Sequence, residues 1–182
     1  MRGVKAAALE LWGPQGLSDM AQRLPEGARR TVIDAVVMPS AWVPEEHVIA
    51  VCRAVWEGPA AKEDGAFTKY MERVAFHAFG RFQKLLLGMA TPSTLATRTP
   101  ALWRREHTHG TLAVECGEGG QIIRLTGGPY VETAFTRGAL AETFRQVMNL
   151  TRVKITRSRH EMETRETKKG CCGQSRQRAS GG

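Results

Sequence analysis

Residues 99–128 read TPALWRREHTHGTLAVECGEGGQIIRLTGG, and the class of the fold follows from them. Pro100 to His107 has the composition of a short helix carrying Leu102 and Trp103, and Gly110 stops it. Leu112, Val114 and Cys116 then alternate with Ala113 and Glu115, the two-residue period of a strand with one face buried. Gly117-Glu118-Gly119-Gly120 supplies turn chemistry, and Gln121 to Thr126 reads as the returning strand. A helix therefore feeds a β-hairpin whose apolar face needs a cover. The expected class is α+β, an antiparallel β-sheet with helices packed on one face.

Upstream, the chain reads as the source of that cover. Val4 to Trp12, VKAAALELW, is ambiguous: Ala7, Leu9 and Leu11 alternate as in a strand, while the alanines favour a helix. The alternation tips the expectation to a strand that joins the sheet. Gly13-Pro14 ends it, and Leu17 to Leu24 reads as a short helix closed by Pro25-Glu26-Gly27. Arg29 to Met38 holds Val32, Ile33, Val36 and Val37, and Pro39 argues against a helix through Met38. Ser40 to Pro44 reads as a turn with a buried Trp42. Pro44 suits a helix start, with Glu45 and Glu46 favourable at the positive end of the helix dipole. That helix runs to about Glu57, with Val48, Val51, Cys52, Val55 and Trp56 on one face before Gly58-Pro59 ends it.

Asp64-Gly65 opens what reads as the longest helix. Its stripe is Phe67, Tyr70, Met71, Val74, Ala78, Phe82 and Leu85, widened by Phe79 and Leu86. Thr91-Pro92 marks a further start with Thr91 as cap. A short piece to Thr97 is expected, and a new helix from Pro100. After the hairpin, Gly127-Gly128-Pro129 is a break. Ala134 to Asn149 reads as a helix with Leu140, Phe144, Val147 and Met148 inward. Val153 and Ile155 begin a last, weakly patterned strand. The expected organisation is one α+β domain over residues 1–166 and a disordered basic tail over 167–182, rich in Gly, Ser, Gln and Arg.

Composition narrows the function classes. Of 182 residues, 42% are hydrophobic and 24% charged, enough for a core of useful size. The net charge is +8, and part of the excess lies after Val153, so it is not one stripe on the folded body. Solubility and a solvated tail account for it more simply than nucleic acid does. Arg81, Lys84, Arg104 and Arg105 could form a basic patch, but Arg104 and Arg105 point to different helix faces, and nucleic acid is not an expected partner. No window approaches the roughly 18 apolar residues of a membrane span. The N-terminal stretch has no signal-peptide run, since Glu10, Gly13 and Pro14 break it. Cys52 and Cys116 sit at apolar positions, and Cys171-Cys172 lack metal-ligand spacing. The expectation is a reduced, cytoplasmic, soluble protein.

The order of these features builds a likeness. Ser40, Trp42 and Pro44 open a helix. A long helix ends Phe79-Gly80-Arg81-Phe82. Then come Pro92, Leu102-Trp103, His107, Gly110-Thr111-Leu112, two strands, and a helix opened by Gly138-Ala139-Leu140. From about Trp42 to His160 the chain resembles an uncharacterised paralogous family abundant in myxobacteria. That family is similar in form to 4-vinyl reductase domains and, more distantly, to haem nitric-oxide-binding domains. The resemblance implies helices on one face of an antiparallel sheet, a cavity between the layers, and a small-molecule-binding or sensing role. Two departures limit what carries over. Relatives of the 4-vinyl reductase type end in a Gly-x-x-x-Cys strand with a final Trp, whereas residues 157–172 here read RSRHEMETRETKKGCC. Haem-binding relatives carry Tyr-x-Ser-x-Arg, which neither Tyr70 nor Tyr130 begins, so no haem ligand is assigned.

Candidate chemistry is sparse. His107 and His109 straddle a helix end and could ligate a metal if Glu106 or Glu115 joined them. Complementing the helix C-terminus explains them more simply, and no metal or other cofactor is assigned. His77 reads as a half-exposed helical residue, and His47 and His160 as surface groups. The glycine runs are not phosphate loops, because neither opens a helix with Lys-Ser or Lys-Thr. No nucleophile has a local signature, so no enzyme activity and no catalytic residues are expected. Trp42, Trp56, Phe79, Phe82 and Trp103 are the residues that could line an apolar cavity, although a filled core would use them equally well. The reading is a non-enzymatic sensory or signalling module that binds a small apolar ligand. The alternative is a protein-interaction or scaffold subunit with a packed core and a protein partner. Oligomeric state has no signal in the sequence.

Overall fold

In a computed structural model the chain is described over residues 2–34, 42–79, 88–117 and 120–151. Helix α1 (Arg2–Gln22) is followed by a one-turn helix α2 (Glu26–Arg29) that passes into a π-helical turn (Arg30–Asp34). Then come α3 (Glu45–Glu57), α4 (Asp64–Ala78), α5 (Pro92–Glu106), the strands β1 (Thr111–Gly117) and β2 (Gly120–Thr126), a 3-10 turn (Pro129–Val131) and α6 (Ala134–Asn149). The protein is α+β: mostly helical, with a two-stranded antiparallel sheet among the described residues.

The hairpin is the one expected, and its register is direct. Leu112 faces Leu125 and Val114 faces Ile123 across the ladder. Those four point to the interior, while Ala113, Glu115, Ile122 and Arg124 lie on the open face. Helix α5 packs against β1, so the hairpin is covered on one face, as the alternation requires.

Two expectations about helices fail. The Val4–Trp12 segment is helical, not a strand. Ala7 and Ala8 are fully buried, Val4 and Leu11 pack beside them, and Leu9 and Glu10 are exposed. Positions 4, 7, 8 and 11 make a helical stripe, and the three consecutive alanines add the highest intrinsic helix propensity. The expected break at Gly13-Pro14 is real: Gly13 leaves the helix at φ 65° and ψ −168°, and the helix resumes through the Leu17 region. The second failure concerns α5, which runs unbroken from Pro92 through Pro100 to Glu106. Proline inside a helix loses one hydrogen bond and clashes with the preceding turn. The packing of Trp103 against Leu112 and Tyr130 outweighs it here. Thr91 caps this helix as expected, its hydroxyl accepting from the Thr94 N–H at 3.2 Å.

Helix α4 ends earlier than its apolar stripe suggests. Ala78 is its last residue and Phe79 is already extended, at φ −96° and ψ 128°. Phe82, Leu85 and Leu86 lie outside the described residues, as do Arg81, Lys84, the Val153–Ile155 strand, His160, Cys171, Cys172 and the 167–182 tail. Helices α3 and α6 match their expected spans, α3 beginning one residue after Pro44. Helix α6 also has a capping box missed at the sequence level. The Thr133 hydroxyl accepts from the Thr136 N–H at 3.1 Å, and the Thr133 N–H donates to the Thr136 hydroxyl at 3.2 Å.

The core has two centres. The larger joins α1, α2, the π-helical turn, α3 and α4 through Met20, Ala28, Val32, Val55, Phe67, Tyr70 and Met71. The smaller joins α5, the hairpin, the 3-10 turn and α6 through Trp103, Leu112 and Tyr130.

Candidate functional site

Between the two core centres lies an apolar cavity of about 490 Å³. Its walls follow from helical periodicity. Helix α6 contributes Thr136, Ala139, Leu140, Thr143, Phe144, Val147 and Met148, a stripe repeating every three or four residues. Helix α3 offers Val48, Val51 and Cys52, and α4 offers Tyr70, Met71 and Val74 on the same spacing. The hairpin closes one side with Val114 and Ile123, and the end of α5 supplies Leu102, Trp103 and Glu106, with His107 following. A space of this size and composition falls in the range of small-molecule sites.

Of the expected lining residues, the structure brings together two. Trp103 and Phe79 are in the wall. Trp56 is not: it packs edge-on against Phe67, centroids 5.7 Å apart, and beside Phe135, as ordinary core. Trp42 is neither buried nor near the cavity. It stays 64% exposed on the extended lead-in to α3, where the residue before Pro44 is held out of helical geometry. Phe82 lies outside the described residues, and of the Cys116 side chain nothing is described. Cys52, by contrast, is in the wall with a free thiol.

Trp103 is held from both ends. Its indole N–H is shared between the carbonyls of His109 at 3.2 Å and Gly110 at 3.3 Å. Gly110 has φ 77°, and a Cβ there would meet the Gly127 carbonyl oxygen at 3.0 Å, so only glycine lets this loop lie against the base of the hairpin. The His107 ring stacks on the indole, and Tyr130 stands edge-on to both.

His107 and His109 do meet a carboxylate, but it is Glu45 on α3 rather than Glu106 or Glu115. Glu45 Oε1 lies 3.2 Å from His107 Nδ1, and Oε2 lies 3.9 Å from His109 Nδ1. The His107 side chain therefore ties α5 to the start of α3 instead of covering the last carbonyls of its own helix. Among the described residues no group of three or more His, Cys, Asp or Glu side chains is placed to hold a metal ion. His47, expected at the surface, is half-buried, and its Nδ1 is buried without a hydrogen-bond partner.

Burial holds the thiol and the two phenols of the wall in their uncharged forms. Burial pushes the Cys52 thiol up to about 12. Burial, then the neighbouring Cys52, holds the Tyr70 phenol well above its ordinary range. Tyr130 is raised by burial first and by the Glu45 carboxylate second. No Lys or Arg is among the described residues of the wall. Tyr70 is 1% exposed, and its hydroxyl is buried with no hydrogen-bond partner. Glu45, Tyr70, Tyr130 and Phe144 were missed as site residues. Tyr70 and Phe144 carry a signal in the sequence through their place on apolar helix stripes, whereas Tyr130 in its 3-10 turn and Glu45 at a helix start carry none for the site. Searches of protein-family models, curated proteins and solved structures found no match to this chain.

Proposed function

We propose that this chain is a non-enzymatic module that binds a small apolar molecule between its helices and its hairpin and acts as a sensory or signalling input. The observation that carries the reading is the cavity itself, about 490 Å³ and bounded almost wholly by hydrocarbon side chains from α3, α4, α5, the hairpin and α6. A packed domain of this size tolerates few voids larger than a water molecule, because each empty space forfeits dispersion contacts. A ligand would restore them. The absence of enzyme activity is part of the proposal: a thiol raised to about 12 and phenols raised by burial are poor nucleophiles and bases at neutral pH. The likeness to 4-vinyl reductase and haem nitric-oxide-binding forms agrees with a sensing role. Among the described residues no helix is long and apolar enough to cross a membrane. A reduced, cytoplasmic setting is proposed with it, supported by the free Cys52.

The test is binding of an uncharged fluorescent probe, N-phenyl-1-naphthylamine, to the full chain, alongside native mass spectrometry of the protein as purified. Saturable binding near one equivalent is expected, and Leu140→Trp, which fills the cavity from α6, should weaken it at least tenfold. Probe binding unchanged in Leu140→Trp would place the probe elsewhere and overturn the reading. A second reading, a protein-interaction subunit, rests on the exposure of Trp42, Met89, Leu102 and Ile122. It predicts a filled interior and no probe binding.

A further inference from the structure

We infer, resting on the reading that the cavity takes a small molecule, that its occupant is an uncharged, mainly hydrocarbon compound with one hydrogen-bond acceptor directed to Tyr70. Two observations on the wall carry this. The first concerns charge. Glu106 is the one carboxylate among the described wall residues, and no Lys or Arg stands there to pair an anion. An anionic head group would lose its hydration with no Lys or Arg in the wall to offset the loss, and Glu106 itself is exposed and paired with Arg105. A fatty-acid carboxylate or an organic phosphate is therefore a poor fit, and a neutral molecule a good one.

The second concerns the Tyr70 hydroxyl. Among the described residues, three buried side-chain polar atoms lack a hydrogen-bond partner: Glu45 Oε2, His47 Nδ1 and the Tyr70 oxygen. Only Tyr70 belongs to the cavity wall. A buried phenol left unpaired is costly, and native proteins rarely leave such a group without a role. It has a proton to donate, since burial keeps it in the neutral form. A ketone, ester or ether oxygen entering with the hydrocarbon body would accept that proton. The rest of the wall asks only for apolar surface, so one acceptor suffices.

The test uses the full chain and an isosteric pair, 2-acetonaphthone and 2-ethylnaphthalene, which differ by a carbonyl in place of a methylene. Each competes against N-phenyl-1-naphthylamine, and 8-anilinonaphthalene-1-sulfonate serves as the anionic counterpart of that probe. The ketone should outcompete the hydrocarbon by about three- to tenfold, the range of one neutral hydrogen bond. In Tyr70→Phe the two should bind within about twofold of each other. That variant removes an unpaired hydroxyl, so its thermal midpoint should be unchanged or raised, which separates a lost contact from a lost fold. The sulfonate should bind at least tenfold more weakly than the neutral probe. Equal binding of ketone and hydrocarbon, a preference that survives Tyr70→Phe, or tight sulfonate binding would each overturn the inference while leaving a ligand-binding cavity standing. Failure of all four compounds to bind would overturn both.

Discussion

The Trp103 indole and the His107 imidazole lie face to face, ring centroids 3.7 Å apart and planes 10° from parallel. They are one helical turn apart, and the His107 N–H donates to the Trp103 carbonyl at 2.8 Å, so the stack caps the last turn of α5. Glu45 then fixes the imidazole from α3, and the indole N–H fixes the loop entering β1. The stacked pair of Trp103 and His107 thus ties α5 to the hairpin and to α3. Trp103→Ala should cost about 3–5 kcal/mol of stability, as large-to-small core changes do. Trp103→Phe keeps much of the buried area but leaves two carbonyls without their donor, and should cost about 1–2 kcal/mol. Urea unfolding followed by far-UV circular dichroism measures both. A Phe variant as damaged as the Ala variant would mean that the shared hydrogen bond, rather than the buried area, dominates.

Gly3 and Gly138 both sit in helices and should respond in opposite directions to alanine. A Cβ on Gly3 would stand 2.6 Å from the Val74 carbonyl oxygen, so α1 and α4 approach too closely there for any side chain. Gly3→Ala must push the helices apart and should destabilise by about 1–3 kcal/mol. A Cβ on Gly138 meets nothing within 4 Å. Gly138→Ala should stabilise by about 0.5–1 kcal/mol through helix propensity and a less flexible unfolded chain. A thermal midpoint unchanged or raised in Gly3→Ala would contradict the close α1–α4 contact, and a lowered one in Gly138→Ala would contradict the open space at Gly138.

The α1–α4 contact also shows where sequence reading stopped. The hairpin was legible because a strand with one buried face must alternate: Leu112 and Val114 do so on β1 and Ile123 and Leu125 on β2, with Ile122 the apolar residue left on the open face. Helix α6 was legible because Leu140, Phe144, Val147 and Met148 repeat at helical spacing. Val4–Trp12 was misread because Ala7, Leu9 and Leu11 alternate by chance, while burial follows 4, 7, 8 and 11. Small residues mark a close helix–helix approach, but only the partner, here Val74, makes that visible. Of the expected cavity residues, Phe79 and Trp103 stand in the wall and Trp42 and Trp56 do not. Trp size suggested Trp42 and Trp56, yet the wall is built largely from aliphatic and small side chains whose convergence depends on elements from α1 to α6. Glu45 was legible as a helix-start residue. Its partner His107 lies 62 positions away, a distance that no local pattern encodes.

Glu10 should give the acid limb of stability a recognisable signature. Its carboxylate is held down from 4.5 to about 2, first by the hydrogen bonds from Arg73 and then by His77, whose Nε2 lies 2.7 Å from Oε2. The folded value lies below the unfolded one, so this contribution is complete above about pH 4.5 and is lost as pH falls toward 2. Wild type should therefore exceed Glu10→Gln in stability at pH 7, and the gap should close between pH 4.5 and pH 2. Added salt should shrink it at every pH, since the groups are partly exposed. Urea midpoints across that range decide the matter, and a gap that stayed constant would remove Glu10 from the acid transition.

Cys52 offers a direct reading of whether the cavity wall is closed to reagents. Its thiol is raised to about 12 by burial, so at pH 8 the thiolate fraction is on the order of one in ten thousand. Iodoacetamide at pH 8, with peptide mapping to separate Cys52 from the other cysteines, should label this site at least a hundredfold more slowly in the folded chain than in urea. Cys52 is half-buried in the wall, so the residual rate reports access of the reagent through the cavity. A molecule seated against Cys52 and Tyr70 covers the thiol, and so must lower that rate further. Saturating 2-acetonaphthone should slow Cys52 labelling several-fold in wild type and have little effect in Leu140→Trp. Rapid labelling in the absence of ligand would mean that Cys52 faces solvent and that the two core centres are not sealed around it.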